Sequence, residues 1–220
     1  MQALIAWLVL AALHFAPPAK HRVFPGHEET AEQALARYTS IATDIATAVE
    51  GRKDAKDRAA LMLAWGIGET GLYHDADKGP CWREGVWKTR CDGGLAAGIW
   101  QMHTHRDPTS GKWLSVEEIF GDRARAARTA TTLISKSLKS CTHMAAEDQL
   151  SAFGLGRCVS NNRSVRARYK LWNQVRAWEP PPAVKEAGPS VGSMFFRFNG
   201  PLVMTHPLAC GLPTLGPDRG

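Results

Sequence analysis

The sequence predicts a mainly α (α+β) protein, a helical domain with a small irregular or hairpin lobe set between its helices. Three observations lead there. Apolar residues recur at helical spacing from Glu28 to Glu50 and in three segments beyond residue 121. The run AALMLAW, Ala59–Trp65, is apolar on every face, which marks a buried helix. From Gly66 to about Trp113 the periodicity gives way to Gly, Asp, Trp, His and Cys, the texture of loops and hairpins.

Taken in order, residues 1–16, MQALIAWLVLAALHFA, are apolar except for Gln2 and His14 and too short to span a bilayer comfortably. They read as a secretory signal peptide. With no Lys or Arg before the apolar region and only a loose cleavage motif near Ala16, an uncleaved N-terminal anchor is the alternative. Residues 17–27, with Pro17, Pro18 and Pro25, form a linker. The domain itself is expected over 28–178. Its first helix carries Ala34, Leu35, Tyr38, Ile41, Ile45 and Val49 and stops at Gly51. The second starts near Asp54, a residue type suited to cap it, and runs to Trp65. Further helices are expected over Asp122–Leu138, Ala145–Phe153 and Ser164–Trp178. Residues 179–220 hold eight of the thirteen prolines and read as a Pro/Gly-rich extension outside the core, a place where a cell-envelope partner could attach.

A composition of 44% hydrophobic and 22% charged residues supports a sizeable core and excludes disorder as the default. The formal charge of +6 suits anionic polymers, whether nucleic acid, membrane surface or cell wall. Basic residues alternate with Asp and Glu instead of forming one block, which argues against nucleic acid. Contact with a membrane is expected only through the N-terminal segment. The five cysteines lack CxxC spacing, so a zinc knuckle is not expected. In an exported chain, periplasmic or extracellular, the sequence-local pairs are Cys81 with Cys91 and Cys141 with Cys158, leaving Cys210 in the tail. In a reducing compartment all five would be thiols.

Glu69 follows the apolar helix directly. Desolvation beside Trp65 and the negative end of the helix dipole both disfavour its charge. They push its pKa up from about 4.3, towards the range a general acid needs near neutrality. By itself this is equally a surface Glu at a helix end. His74, His103 and His105 lie in the same region, yet no spacing fixes a third metal ligand, and a metal-free loop is expected. No other cofactor motif occurs. Trp82, Trp87, Trp100 and Trp113 suit sugar stacking and lobe packing equally well.

Four ordered elements then carry a family resemblance. They are Glu69 with Thr70; Gly98, Ile99, Trp100 and Gln101; Ser151 to Gly156 around Phe153 and Gly154; and Tyr169. Across Ala59–Trp172 this order resembles the soluble lytic transglycosylase and goose-type lysozyme group of the lysozyme-like superfamily. Ile99 and Trp100 stand where that group has Leu and Met, and Phe153 and Gly154 where it has Tyr and Asn.

The resemblance implies a lysozyme-like fold and a peptidoglycan glycan strand as partner. Glu69 would protonate the oxygen between N-acetylmuramic acid and N-acetylglucosamine, with Thr70, Gln101, His103, Phe153 and Tyr169 binding the substrate. In a transglycosylase one carboxyl group serves as acid and then base, and the product is a 1,6-anhydro end. A goose-type hydrolase would add Asp92, which precedes Gln101 by the spacing of one of that group's aspartates, although its other aspartate position is His103 here. Asp75 and Asp77 read as a solvated turn. A non-catalytic wall-binding or assembly protein on the same scaffold is the remaining alternative.

Overall fold

A reciprocal capping box opens the first long core helix: the Thr30 hydroxyl accepts from Gln33 N–H, and the Gln33 side chain accepts from Thr30 N–H at 2.8 Å. That helix, α2 (Ala31–Ala48), buries Ala34, Tyr38, Ile41, Ala42, Ile45 and Ala46 on one stripe. The computed structural model describes residues 1–21, 26–74, 76, 81–83, 86–88, 96–103, 105–106 and 111–181. Met1–Pro181 form one compact unit, and residues 182–220, most of the Pro/Gly-rich extension, lie outside the described residues.

The unit is mainly helical. Helix α1 (Gln2–Phe15) precedes α2, and α3 (Ala55–Thr70) follows it. Asp54 stands at the start of α3 without capping it. Its carboxylate is drawn instead to Arg52 and Arg58, each at 2.9 Å, which correct the sequence expectation and hold it well below its usual pKa, at about 2. Every residue from Ala59 to Gly66 is buried, because α3 packs among α1, α2, α5 (Arg123–Ser140) and α7 (Arg163–Ala177), most extensively on α7. Asp122 Oδ1 caps α5 and Asn162 Oδ1 caps α7.

Two expectations are corrected downstream. The helix expected over Ala145–Phe153 is a 3-10 turn, Ala146–Asp148, followed by the short α6 (Ser151–Leu155), which Gly156 closes with φ of 73°. The short α4 (Val116–Gly121), opened by a Ser115–Glu118 capping box, was not expected. Among the described residues between α3 and α4 run three two-stranded antiparallel hairpins: β1 (Cys81–Arg83) with β2 (Val86–Lys88), β3 (Ala96–Ala97) with β4 (Met102–His103), and β5 (His105–Arg106) with β6 (Trp113–Leu114). Their registers pair Trp82 with Trp87, Ala97 with Met102 and Arg106 with Trp113.

Helix α1, set apart from 28–178 in sequence, lends Trp7, Leu8, Ala11 and Ala12 to the same core as α2 and α3. Trp7 Nε1 donates to Trp178 O at 3.3 Å, and the His14 ring stacks on Trp178 at 5.2 Å. The Tyr38 hydroxyl donates to Ala16 O and lies 2.8 Å from His21 Nε2. Burial, reinforced by the charge of Arg37, pushes the His21 pKa down to about 4.

Candidate functional site

The last turn of α3 is where three of the four sequence elements meet, those of Thr70, Gly98–Gln101 and Phe153. The helix stops because Gly71 takes a left-handed conformation, φ 64°, with its N–H on the Ile67 carbonyl. A Cβ at Gly71 would lie 2.6 Å from the Tyr73 ring, so only glycine fits there. Leu72 follows with φ 55° and turns inward to full burial, its carbonyl accepting from Arg37 Nη1 at 2.6 Å. Arg37 is itself held by the Glu29 carboxylate at 2.7 and 2.8 Å. Glu69 and Thr70 are therefore presented on a helix end fixed from both sides.

The turn Gly98–Gln101 docks onto this end. The Thr70 hydroxyl donates to the carbonyls of Gly66 and Ile99, at 3.0 and 3.2 Å, and Trp100 Nε1 donates to Met62 O at 3.0 Å. Gly66 makes the approach possible, since a Cβ there would sit 3.1 Å from Leu72 Cδ2 and 3.6 Å from Trp100 Nε1. Gln101 has φ 46°; its N–H and its Nε2 both donate to Gly98 O, at 3.0 and 2.9 Å. Its Oε1 is buried with no hydrogen-bond partner, an acceptor that an incoming N–H or O–H could use.

Trp65, one turn before Glu69, is fully buried in the core. Phe153 of α6 meets it edge-on at 4.9 Å, and a Cβ on Gly154 would lie 3.0 Å from the indole. The residues that replace Tyr and Asn of the resembling group thus pack the tryptophan tightly. Tyr169 sits half-buried on α7, edge-on to Trp172 at 5.5 Å.

Sequence reasoning missed Arg168. Its Nη2 lies 2.8 Å from Glu69 Oε2, and its guanidinium lies 5.1 Å from the Trp65 ring centroid. The two side chains are 15% and 13% exposed, Glu69 first. Gly68 admits the arginine, because a Cβ there would come 2.7 Å from Arg168 Cγ. The sequence expectation for Glu69 counted two effects favouring its neutral form; Arg168 adds one of opposite sign. The pairing had a weak signal: Gly68 and Trp65 are the small residue and aromatic face that a packed guanidinium needs.

Other expected site residues fall elsewhere. Cys141 and Cys158 are bonded, closing the corner between α5 and α7. Asp92, Cys91, Asp75, Asp77 and Cys210 lie outside the described residues, as do the side chains of Cys81, His103 and His105. Among the described residues no group of three or more His, Cys, Asp or Glu side chains is placed to hold a metal ion. No family model matches this chain, and no curated protein or solved structure gives a significant match.

Proposed function

We propose that this protein is an exported enzyme on a lysozyme-like scaffold that cleaves the β-1,4 bond between N-acetylmuramic acid and N-acetylglucosamine in peptidoglycan. Its proposed class is lytic transglycosylase. What supports the reading is the convergence of three of the four resembling elements on one helix end, Glu69 and Thr70 on α3, Gly98–Gln101 against Thr70 and Phe153 against Trp65, with Arg168 added on Glu69.

In the resting state Arg168 Nη2 lies 2.8 Å from Glu69 Oε2. In the proposed cycle the substrate displaces the guanidinium from Glu69, and Glu69, once protonated, gives its proton to the glycosidic oxygen as that bond breaks. The carboxylate then accepts the proton of the C6 hydroxyl as its oxygen bonds to C1, closing the 1,6-anhydro ring and regenerating the acid. The open acceptor of Gln101 suits a substrate N–H or O–H. Replacing Glu69 with Gln abolishes release of muropeptides from purified sacculi with the fold intact; retained lysis refutes the assignment. Mass spectrometry of the products separates anhydro ends from the reducing ends that a muramidase using Glu69 and Asp92 would leave.

One observation favours a second reading, a non-catalytic wall-binding protein. The Glu69–Arg168 pair neutralises the one carboxylate on which the chemistry depends. Tight binding to sacculi with no released products would decide for it.

A further inference from the structure

We infer that α1 is a retained interfacial helix that seats the protein on an anionic lipid surface, neither spanning the bilayer nor serving only as a core element. A helix that merely completes a soluble core needs one apolar stripe, with polar residues outward. Helix α1 has fourteen residues, none of them Asp, Glu, Lys or Arg. Its inner face is used, with Trp7, Leu8, Ala11 and Ala12 buried. Its outer face is apolar too: Ala3, Ala6 and Leu10 are exposed, Leu10 by 43%, flanked by half-buried Ile5, Val9 and Leu13.

By length and composition the helical segment Gln2–Lys20 could cross a membrane, but its regular α-helix stops at Phe15 and its inner face is spent on the core. Fourteen residues rise about 21 Å, short of a hydrocarbon core of about 30 Å. The helix ends at Ala16, φ −135°, before Pro17 and Pro18, so it does not continue into the next turn. Spanning would also withdraw Trp7 and Leu8 from the core and break the bonds of Trp7 to Trp178 and of Tyr38 to Ala16. Lying in the interface keeps all of these and covers only the outer face.

Charge selects the lipid. Residues 1–27 hold no Asp or Glu, the first acid being Glu28, while Lys20 and Arg22 follow the helix. Beside the middle of the helix, Lys56 Nζ lies 5.2 Å from the Trp7 ring centroid and is paired with Glu179 at 3.2 Å, so its charge is already matched. An acid-free N-terminal segment with an apolar outer face, followed by Lys20 and Arg22 on a chain of formal charge +6, fits an anionic headgroup layer. This inference is independent of the chemistry proposed for Glu69.

The test is flotation of the full chain with vesicles of phosphatidylcholine alone or mixed with phosphatidylglycerol. The protein is expected to float with the anionic vesicles, to be released by high salt or alkaline carbonate, and to keep an intact mass that includes residues 1–16. Leu10→Glu should weaken binding on the order of tenfold or more, with an unchanged thermal melt because the side chain is exposed. Ala6→Glu, one turn earlier on the same face, repeats the test should the first variant misfold. Leu155→Glu, equally exposed on α6, should leave binding unchanged. No flotation, binding unaffected by both α1 variants, resistance to carbonate, removal of residues 1–16, or dimers in the absence of vesicles that Leu10→Glu dissociates would each overturn the inference.

Discussion

Two arginines two residues apart on α7 each meet a carboxylate, and the two pairs are built differently. Arg166 donates to both oxygens of Asp148, at 2.9 and 2.8 Å, and Asn161 N–H adds a third bond at 3.2 Å. Asp148 is 2% exposed, and the paired guanidinium holds its carboxyl below the usual aspartate range. The Cys141–Cys158 bond closes the same corner. Arg168 approaches Glu69 through Nη2, its Nε buried with no hydrogen-bond partner and its plane lying over Trp65. The first pair is satisfied on every side and locks α7 to the turn before α6. In the second, Arg168 also donates from Nη1 to Ser164 Oγ, but its buried Nε stays unused, as does the buried acceptor of Gln101. Complete satisfaction suits a structural clamp, and incomplete satisfaction suits a site that awaits a ligand.

Mutation can break this contrast. The largest effect is expected at Glu69: Glu69→Gln should lower the rate of sacculus lysis roughly 10²- to 10⁴-fold with little change in melting temperature. A large loss of stability instead would make the Arg168 pair a second clamp. At the other corner, Cys158→Ser opens a loop with a sequence separation of 17 and should cost about 3 kcal/mol in denaturant unfolding, with activity preserved per folded molecule.

Asp148→Asn should lower the melting temperature, since it leaves Arg166 and Asn161 N–H with a weaker acceptor in a buried place. Because the folded Asp148 pKa is depressed, its contribution to stability is complete above its unfolded value, near 3.8. It is lost as pH falls below that through the folded value. The melting temperature of the parent should therefore fall more steeply below pH 3.8 than that of Asp148→Asn; parallel curves would show that the pair adds nothing.

The smallest expected change separates the arginines most cleanly. Arg168→Met should leave the melting temperature within a few degrees and move the alkaline limb of the pH–activity profile upward, since removing the cation lets Glu69 keep its proton to higher pH. Arg166→Met should lower stability and leave the profile in place. If the two variants behave alike, the distinction between clamp and site fails.

Much of this was legible in the chain. The all-apolar run Ala59–Trp65 announced a helix buried on every side, and Asp122 the start of α5; that buried helix runs on past the expected Trp65 to Thr70, where Gly71 ends it. Sequence order also singled out Glu69, Thr70, Gln101 and Phe153, which the fold gathers around one helix end. Other elements were hidden because neighbours decided them. Asp54 looked like a cap and became an ion-pair partner, since Arg52 and Arg58 offer a charge and the helix end only a partial one. The stretch before Phe153 broke into a 3-10 turn and a short helix, where Asp148 turns to Arg166.

By itself the sequence determined the helical class, the burial of α3 and the place of Glu69 at its end, and it offered Cys141 with Cys158 as a sequence-local pair. These depend on local periodicity, turn residues and short separations, which a single chain displays. Only the tertiary structure decided that Arg168, ninety-nine residues after Glu69, would be its counter-charge, and that the apolar N-terminal segment would lie against α2 and α3. Both follow from the packing of helices distant in sequence. Arg168 reaches Glu69 because Gly68 lacks a side chain, and α1 docks because α2 and α3 present an apolar surface that one chain end alone does not reveal.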